Sequence, residues 1–340
     1  PLLTALASDP DGEVREEVAG TLGDIKDSAA LPSLITALQS DAVAKVRDNA
    51  ASALGEIGDA GAVPALILAL GSDTNEDVRS EAASALASIE DESAVPPLIN
   101  AVTSDQNENV RARAVSALSY AREERVTQVL LKSLAEDASE RVRENTISAL
   151  IETNDSRVTS ALMTMVQSNS NERIRRAAVR GLRKIEDDRV LPVLTGALGR
   201  DTSSDVRSAA ASAIGVRESG ASVPILVRAF QVETDGDVRR DIIDALDERD
   251  ATNARPILEY ALNSDSNYEV RAYAAAALAE TGRYDLVPAI EEVIMNAGES
   301  SSKHKAIEAL GTIGGPKALG ILKATLVSDH SSSDRREAAE

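Results

Sequence analysis

Val-Arg recurs every 32 residues along this chain, at positions 14, 46, 78, 110, 142, 206, 238 and 270, with Ile-Arg holding the place at 174. Proline keeps the same interval at 32, 64, 96, 192, 224, 256 and 288, and an aliphatic column runs from Leu22 to Leu310, leaving leucine only at Ile214. The count reaches Ser302-Lys303 and Asp334-Arg335 without an insertion or deletion. A strict period of this length means one supersecondary unit copied in line. Each copy is too small to bury its own apolar face, so neighbours must stack.

Within a period the apolar spacing is helical. In "VREEVAGTLGDI", Val14, Val18, Thr21, Leu22 and Ile25 recur at intervals of three and four, which predicts one buried helix face. In "ALPSLITALQSD", Leu31, Leu34, Ile35 and Leu38 form a second face, with Pro32 in the first turn, where its missing N–H does no harm. Short Gly/Asp turns join the two helices, and Asp/Asn/Ser-rich loops supply N-caps for the next pair. Aromatic residues make up only 2% of the chain, so the core must be filled by Ala, Leu, Val and Ile. Helices that approach closely over alanine meet that condition. The expected fold is therefore all-α: an α-solenoid of about ten 32-residue helix-turn-helix units, with residues 1–340 forming one array and partial repeats at both ends. With layers roughly 8–10 Å apart, ten would extend on the order of 100 Å.

The run Asp73-x5-Arg79, Ala82-x2-Ala85-Leu86 and Ala94-Val95-Pro96-x-Leu98 resembles HEAT repeats, in particular the short HEAT-like type of phycobilisome lyases. The resemblance covers essentially the whole chain. It implies that the proline-bearing helices line the convex outside of the solenoid and the Val-Arg helices its concave inside. It does not imply a function, because such repeats serve unrelated tasks.

An acid stands six positions before most ladder arginines: Asp9, Asp41, Asp73, Asp105, Asp137, Asp201, Glu233, Asp265 and Asp329, interrupted at Asn169 and Ala297. Their expected partners are the arginines six positions on, Arg15, Arg47, Arg79, Arg111, Arg143, Arg207, Arg239, Arg271 and Arg335. A pair copied along the chain is a structural ladder, since catalysis would need one distinctive carboxylate pair in a pocket. The resemblance implies that these columns bond to loop groups and across neighbouring repeats. Calcium is a poor fit: counted from Asp73, the glycine and terminal glutamate of an EF-hand loop fall on Val78 and Ser84.

The chain has no cysteine, and its two histidines, His304 and His330, do not form a helical metal pair. No nucleophile elbow or phosphate loop occurs. Neither an enzyme, a metal site nor a cofactor is expected. A net charge of −20 argues against a general nucleic-acid binder. Of the basic residues, 28 are Arg and 8 are Lys against 56 acids, a balance that suits high salt, although many soluble proteins are acidic. No apolar run is long enough for membrane insertion, and "PLLTALASD" is not a signal peptide, so a cytoplasmic setting is expected. The start at Pro1 suggests a segment of a longer protein. The sequon at Asn154 carries little weight.

Two surface features stand apart from the repeat. Arg173, Arg176, Arg180 and Arg183 or Lys184 share one helix face, with Arg141 in the preceding repeat. The stripe admits two readings. Arg176 and Lys184 could pair with Glu144 and Glu152 across adjacent layers, or the stripe could receive an acidic peptide or another anionic group on the concave face. Four of five tyrosines fall between 260 and 284, with Tyr268 and Tyr273 on a Val-Arg helix, where they either bind a partner or fill groove space. The function expected is a non-catalytic scaffold that binds protein partners through the concave face. The alternative is a structural subunit that self-associates end to end through uncapped terminal repeats.

Overall fold

The computed structural model describes residues 1–151, 153, 155–247, 251–280, 283–297, 301–328, 336 and 338. Glu152, Asn154, Asp329, His330, Asp334 and Arg335 lie outside the described residues. Among the described residues every regular element is helical, and the fold is an all-α solenoid of repeated helix pairs.

One repeat shows how the local sequence builds the pair. The Val-Arg helix Ala44–Ile57 ends at Gly58, whose φ of 71° is the left-handed conformation that stops a helix cheaply. Asp59 then accepts a hydrogen bond from the Gly61 N–H and caps a short 3₁₀ turn, Ala60–Ala62. The proline helix Val63–Ser72 follows directly, with Pro64 in its first turn. The next Val-Arg helix, Glu76–Ile89, starts at Asn75, whose side chain accepts from the Asp77 and Val78 N–H groups. Pro256 departs from the first-turn rule and lies inside the helix Ala251–Ser264.

The chain divides into two compact units, Pro1–Ala161 and Leu162–Glu340. In the first, the Val-Arg helices Gly12–Ile25, Ala44–Ile57, Glu76–Ile89, Glu108–Ala117 and Glu140–Ile151 pack on one another in chain order, each on the next. In the second, Glu172–Arg183, Ser204–Gly215, Gly236–Asp247, Tyr268–Ala279 and Ser301–Ile313 do the same. In both units the Val-Arg helices touch along their lengths, whereas successive proline helices meet at few points. Small residues set this difference. A Cβ added at Gly55 would stand 2.8 Å from the Cα of Ala85, so the two backbones approach as closely as alanine allows.

The core lies between the layers. Leu54, Leu86 and Leu150 from Val-Arg helices are fully buried, with Leu118 from the 3₁₀ turn that ends Glu108–Ala117, as are Leu34, Leu66 and Leu98 from proline helices. The second unit repeats the arrangement with Leu182 and Ile214 facing the column of Leu194, Leu226 and Leu258. The expected face of the first Val-Arg helix needs correction at its ends: Val14 is 40% exposed and Ile25 54% exposed. Val46 and Val78, one and two beats later, are fully buried. The Gly12–Ile25 helix packs against another Val-Arg helix on one side alone, so its end residues lack the cover that later copies receive.

Candidate partner-binding groove

The ladder fixes the frame on which surface residues are displayed. Arg79 donates from Nε and Nη2 to the Asp105 carboxylate, at 2.7 and 3.0 Å, and from Nη1 to the Asp73 carbonyl at 2.9 Å. The same fork joins Arg15 to Asp41, Arg47 to Asp73 and Arg111 to Asp137 in the first unit. In the second unit it joins Arg175 to Asp201, Arg207 to Glu233 and Arg239 to Asp265. Each carboxylate therefore serves the arginine 26 residues before it. The expected pairing with the arginine six positions later is thereby corrected: Arg15, Arg47, Arg79, Arg111 and Arg207 take only the backbone carbonyl of the acid six positions before them. Planar bidentate geometry of this kind requires Arg and would be lost with Lys.

The clamp shifts protonation. Burial pushes the Asp105 carboxyl up, but the Arg79 guanidinium and the Asn107 N–H outweigh it and hold the group below the usual carboxylate range. At Asp41 the Arg15 hydrogen bond is the largest influence, and the direction is again downward. Asp73, the apparent calcium ligand, accepts from Arg47 and from the Asn75 N–H instead. Among the described residues no group of three or more His, Cys, Asp or Glu side chains could hold a metal ion.

The ladder has two gaps that match the sequence. In the first unit, Arg143 keeps a buried Nε without a partner among the described residues, and the acid column reads Asn169 at the next step of the sequence. Where it reads Ala297, Arg271 turns to the Leu262 carbonyl at 2.8 Å and Glu292 Oε1 at 2.9 Å, and its buried Nη2 is unpartnered.

Three consecutive ladder-bound helices of the second unit form a groove of about 550 Å³. Its first wall is Arg176, Arg180 and Arg183 from Glu172–Arg183. Its floor is Ser204, Ser208, Ala209 and Ser212 from Ser204–Gly215. Its far wall is Asp237, Asp241 and Asp244 from Gly236–Asp247. Arg240 stands within the acidic wall and is bound there by Asp237, Asp241 and Glu269. Burial works against its charge, but the hydrogen bonds and charges of Asp241 and Glu269 outweigh it and raise the guanidinium above its ordinary value.

The stripe expected from sequence is thus one wall of a two-walled groove. Arg176 donates to Asp205 in the following repeat, in place of the expected Glu144, because Asp205 lies at the N-terminal end of the adjacent helix. Arg180 and Arg183 are exposed and form no ion pair among the described residues. Arg173 is exposed on the same helix but does not line the groove. Lys184 is exposed at its C-cap and likewise lies off the groove lining. Its expected partner Glu152 is outside the described residues. Arg141 belongs to the first unit, where it donates to Asn109 Oδ1.

The tyrosines serve different ends. Tyr273 is half-buried between two cations, with Lys305 Nζ 4.2 Å and the Arg240 guanidinium carbon 5.9 Å from its ring centre. The Tyr268 ring lies 5.1 Å from the guanidinium carbon of Arg271. Tyr260 and Tyr284 are exposed. The acidic wall was missed in the sequence, yet the repeat contains its signal. The column of Arg180 continues as Ser212 and Asp244, and that of Arg173 as Asp205 and Asp237. Reading columns across repeats, beyond runs along one helix, would have found the change of sign.

A family model of HEAT repeats matches residues 1–87, 33–119, 63–151, 127–215, 159–247, 200–272 and 254–340, which together span the chain. The chain belongs to the HEAT-repeat family. No curated protein matches the sequence. Among solved HEAT-like solenoids, Kap95p in complex with RanGDP is similar at a TM-score of 0.70 and 14% identity, over 99% of this chain and 54% of that one. Importin beta gives 0.66 and 14%, over 99% and 56%. Kap121p bound to RanGTP gives 0.64 and 16%, over 99% and 44%. The chain spans about half the length of these proteins, and at such identities the likeness shows the fold. Among the described residues no helix is long and apolar enough to cross a membrane.

Proposed function

We propose that this HEAT array is a non-catalytic scaffold that holds a protein partner on its Val-Arg layer, the concave side. The observation that carries this reading is the groove over Ser204–Gly215, where Arg180 and Arg183 stand exposed and unpaired in a protein of net charge −20. Of the acids that line the groove, Asp205 is held by Arg176 and Asp237 and Asp241 by Arg240, so an outside carboxylate is the natural complement of Arg180 and Arg183. The close packing of Val-Arg helices and the sparse contact between proline helices support a concave Val-Arg side within each unit. Kap95p and Kap121p, similar in fold, are seen with RanGDP and RanGTP, which agrees with a protein as the ligand class. The test compares partner capture by the wild-type chain and by Arg180→Glu/Arg183→Glu. Loss of capture with an unchanged circular-dichroism melt is expected, and equal capture would retire the reading.

A further inference from the structure

The groove has a direction and a width, and both point to a particular occupant. Its floor residues Ser204, Ser208 and Ser212 are spaced by four, so the floor runs along its helix for about 12 Å at 1.5 Å per residue. Arg176, Arg180 and Arg183 follow the same helical spacing on one side, and Asp237, Asp241 and Asp244 follow it on the other. The walls are two helix layers apart, about 16–20 Å between axes. A single α-helix with its side chains is about 10–12 Å across. A helix of that width laid over the floor helix therefore brings its two flanks within reach of the long side chains of both walls.

The floor's chemistry favours close approach. Serine and alanine present little bulk, and among the described residues the hydroxyls of Ser204, Ser208 and Ser212 make no hydrogen bond. Elsewhere in the array, Ser72 and Ser104 bond back to the carbonyl four residues earlier. The floor hydroxyls keep their donors for a ligand.

We infer that the groove receives one α-helix of a protein partner, with acids along the flank facing Arg180 and Arg183 and bases along the flank facing Asp244, the far-wall acid that Arg240 does not hold. This inference rests on the proposed partner-binding role of the Val-Arg layer and specifies the partner's secondary structure and charge pattern. Opposite walls also set polarity. Turning the helix end for end would place acid against acid and base against base, so charge selects one of its two directions.

The test uses the 340-residue chain and three fluorescent peptides of equal composition, read by anisotropy. The first has Glu at three positions on one flank and Lys at three on the other. The second alternates Glu and Lys within each flank. The third is the striped peptide with its central residue exchanged for a flank-end proline, which breaks the helix. The striped peptide is expected to bind at least about tenfold more tightly than either control, and to lose about tenfold again against Arg180→Glu/Arg183→Glu. Its affinity should fall with added salt, since the contacts lie at a wet surface. No binding of the striped peptide, or equal binding of the alternating or proline peptide, overturns the inference. If the double variant still abolishes capture of a whole partner while the peptides show no preference, the helix is wrong and the binding face stands. Unchanged capture removes the face itself.

Discussion

Arg79 and Asp105 are joined by two parallel hydrogen bonds across adjacent repeats, and Asp105 Oδ1 also accepts from the Asn107 N–H at 2.8 Å. A single carboxylate thus ties one Val-Arg helix to the loop that launches the next. Removing it strips Nε and Nη2 of Arg79 and a loop N–H of their acceptor, in a site where the Asp105 side chain is 9% exposed. Asp105→Ala should therefore cost about 3 kcal/mol. The exposed pair Arg157–Glu124 is solvated already, so Arg157→Gln should leave the melting temperature unchanged within error. Thermal melts of both variants check the contrast. Equal losses would mean that the ladder is ordinary surface charge.

Acid should dissolve that contrast. The folded Asp105 pKa is lowered, so protons bind the unfolded chain first as pH falls. The stabilisation is present above the unfolded value near about 3.9 and is lost as pH drops through the lowered folded value. Neutralising other acids also relaxes the repulsion of a −20 protein, so total stability mixes two opposed effects. The gap between wild type and Asp105→Asn isolates the clamp. Melting temperatures should differ most near neutrality and converge below the lowered folded value. A gap that persists in strong acid would assign the loss at this site to packing.

Two columns in the helix pair place opposite demands on the absence of a side chain. At Gly55 a methyl group would press on the Ala85 backbone at 2.8 Å, where neither helix can yield alone. Gly55→Ala should destabilise by about 1–3 kcal/mol. At the helix C-terminus, Glu90 takes the left-handed conformation with φ 55°, which Gly58 occupies one beat earlier without a steric penalty. Glu90→Gly should stabilise by about 1 kcal/mol. Melts in opposite directions are expected. A neutral Gly55→Ala would show that the layers are more loosely packed than the geometry states.

The helix pairs, their stacking and the family were legible because a strict 32-residue beat leaves apolar columns few other ways to be buried. The ladder was legible in part. The Asp73–Arg79 spacing is a sequence fact, but only folding shows that the Asp73 carboxylate serves Arg47 while its carbonyl serves Arg79. Long side chains choose among neighbours within reach, and the repeat supplies several. Arg176 illustrates this, since both Glu144 and Asp205 lie in adjacent repeats and the structure uses Asp205. The groove was half visible because a stripe along one helix stands out, whereas a wall made from the next two repeats does not. Val14 fits the periodic pattern and is still exposed, because burial also depends on the neighbour that covers a face.

Arg271 tests whether a ladder arginine matters for its charge or for its partner. It is 5% exposed, holds the Leu262 carbonyl and Glu292, and stacks on Tyr268, but the column's acid is replaced by Ala297. Glu292 is 54% exposed, so water can replace its partner. Nη2 already lies buried and unpaired, an expense in the folded state that an apolar side chain would remove. Arg79 differs on both counts, because its loss strands the buried Asp105 carboxylate. Arg79→Leu should cost about 3–5 kcal/mol, and Arg271→Leu about 1 kcal/mol or less, since replacing an incompletely paired buried ion with a hydrocarbon of similar length is often neutral. Thermal melts of the two variants, paired with the double variant Arg79→Leu/Asp105→Leu, separate the causes. The double variant should recover part of the Arg79→Leu loss. Equal costs for Arg79→Leu and Arg271→Leu, with no recovery in the double variant, would show that the arginine stems, and not their carboxylate partners, hold the repeats together.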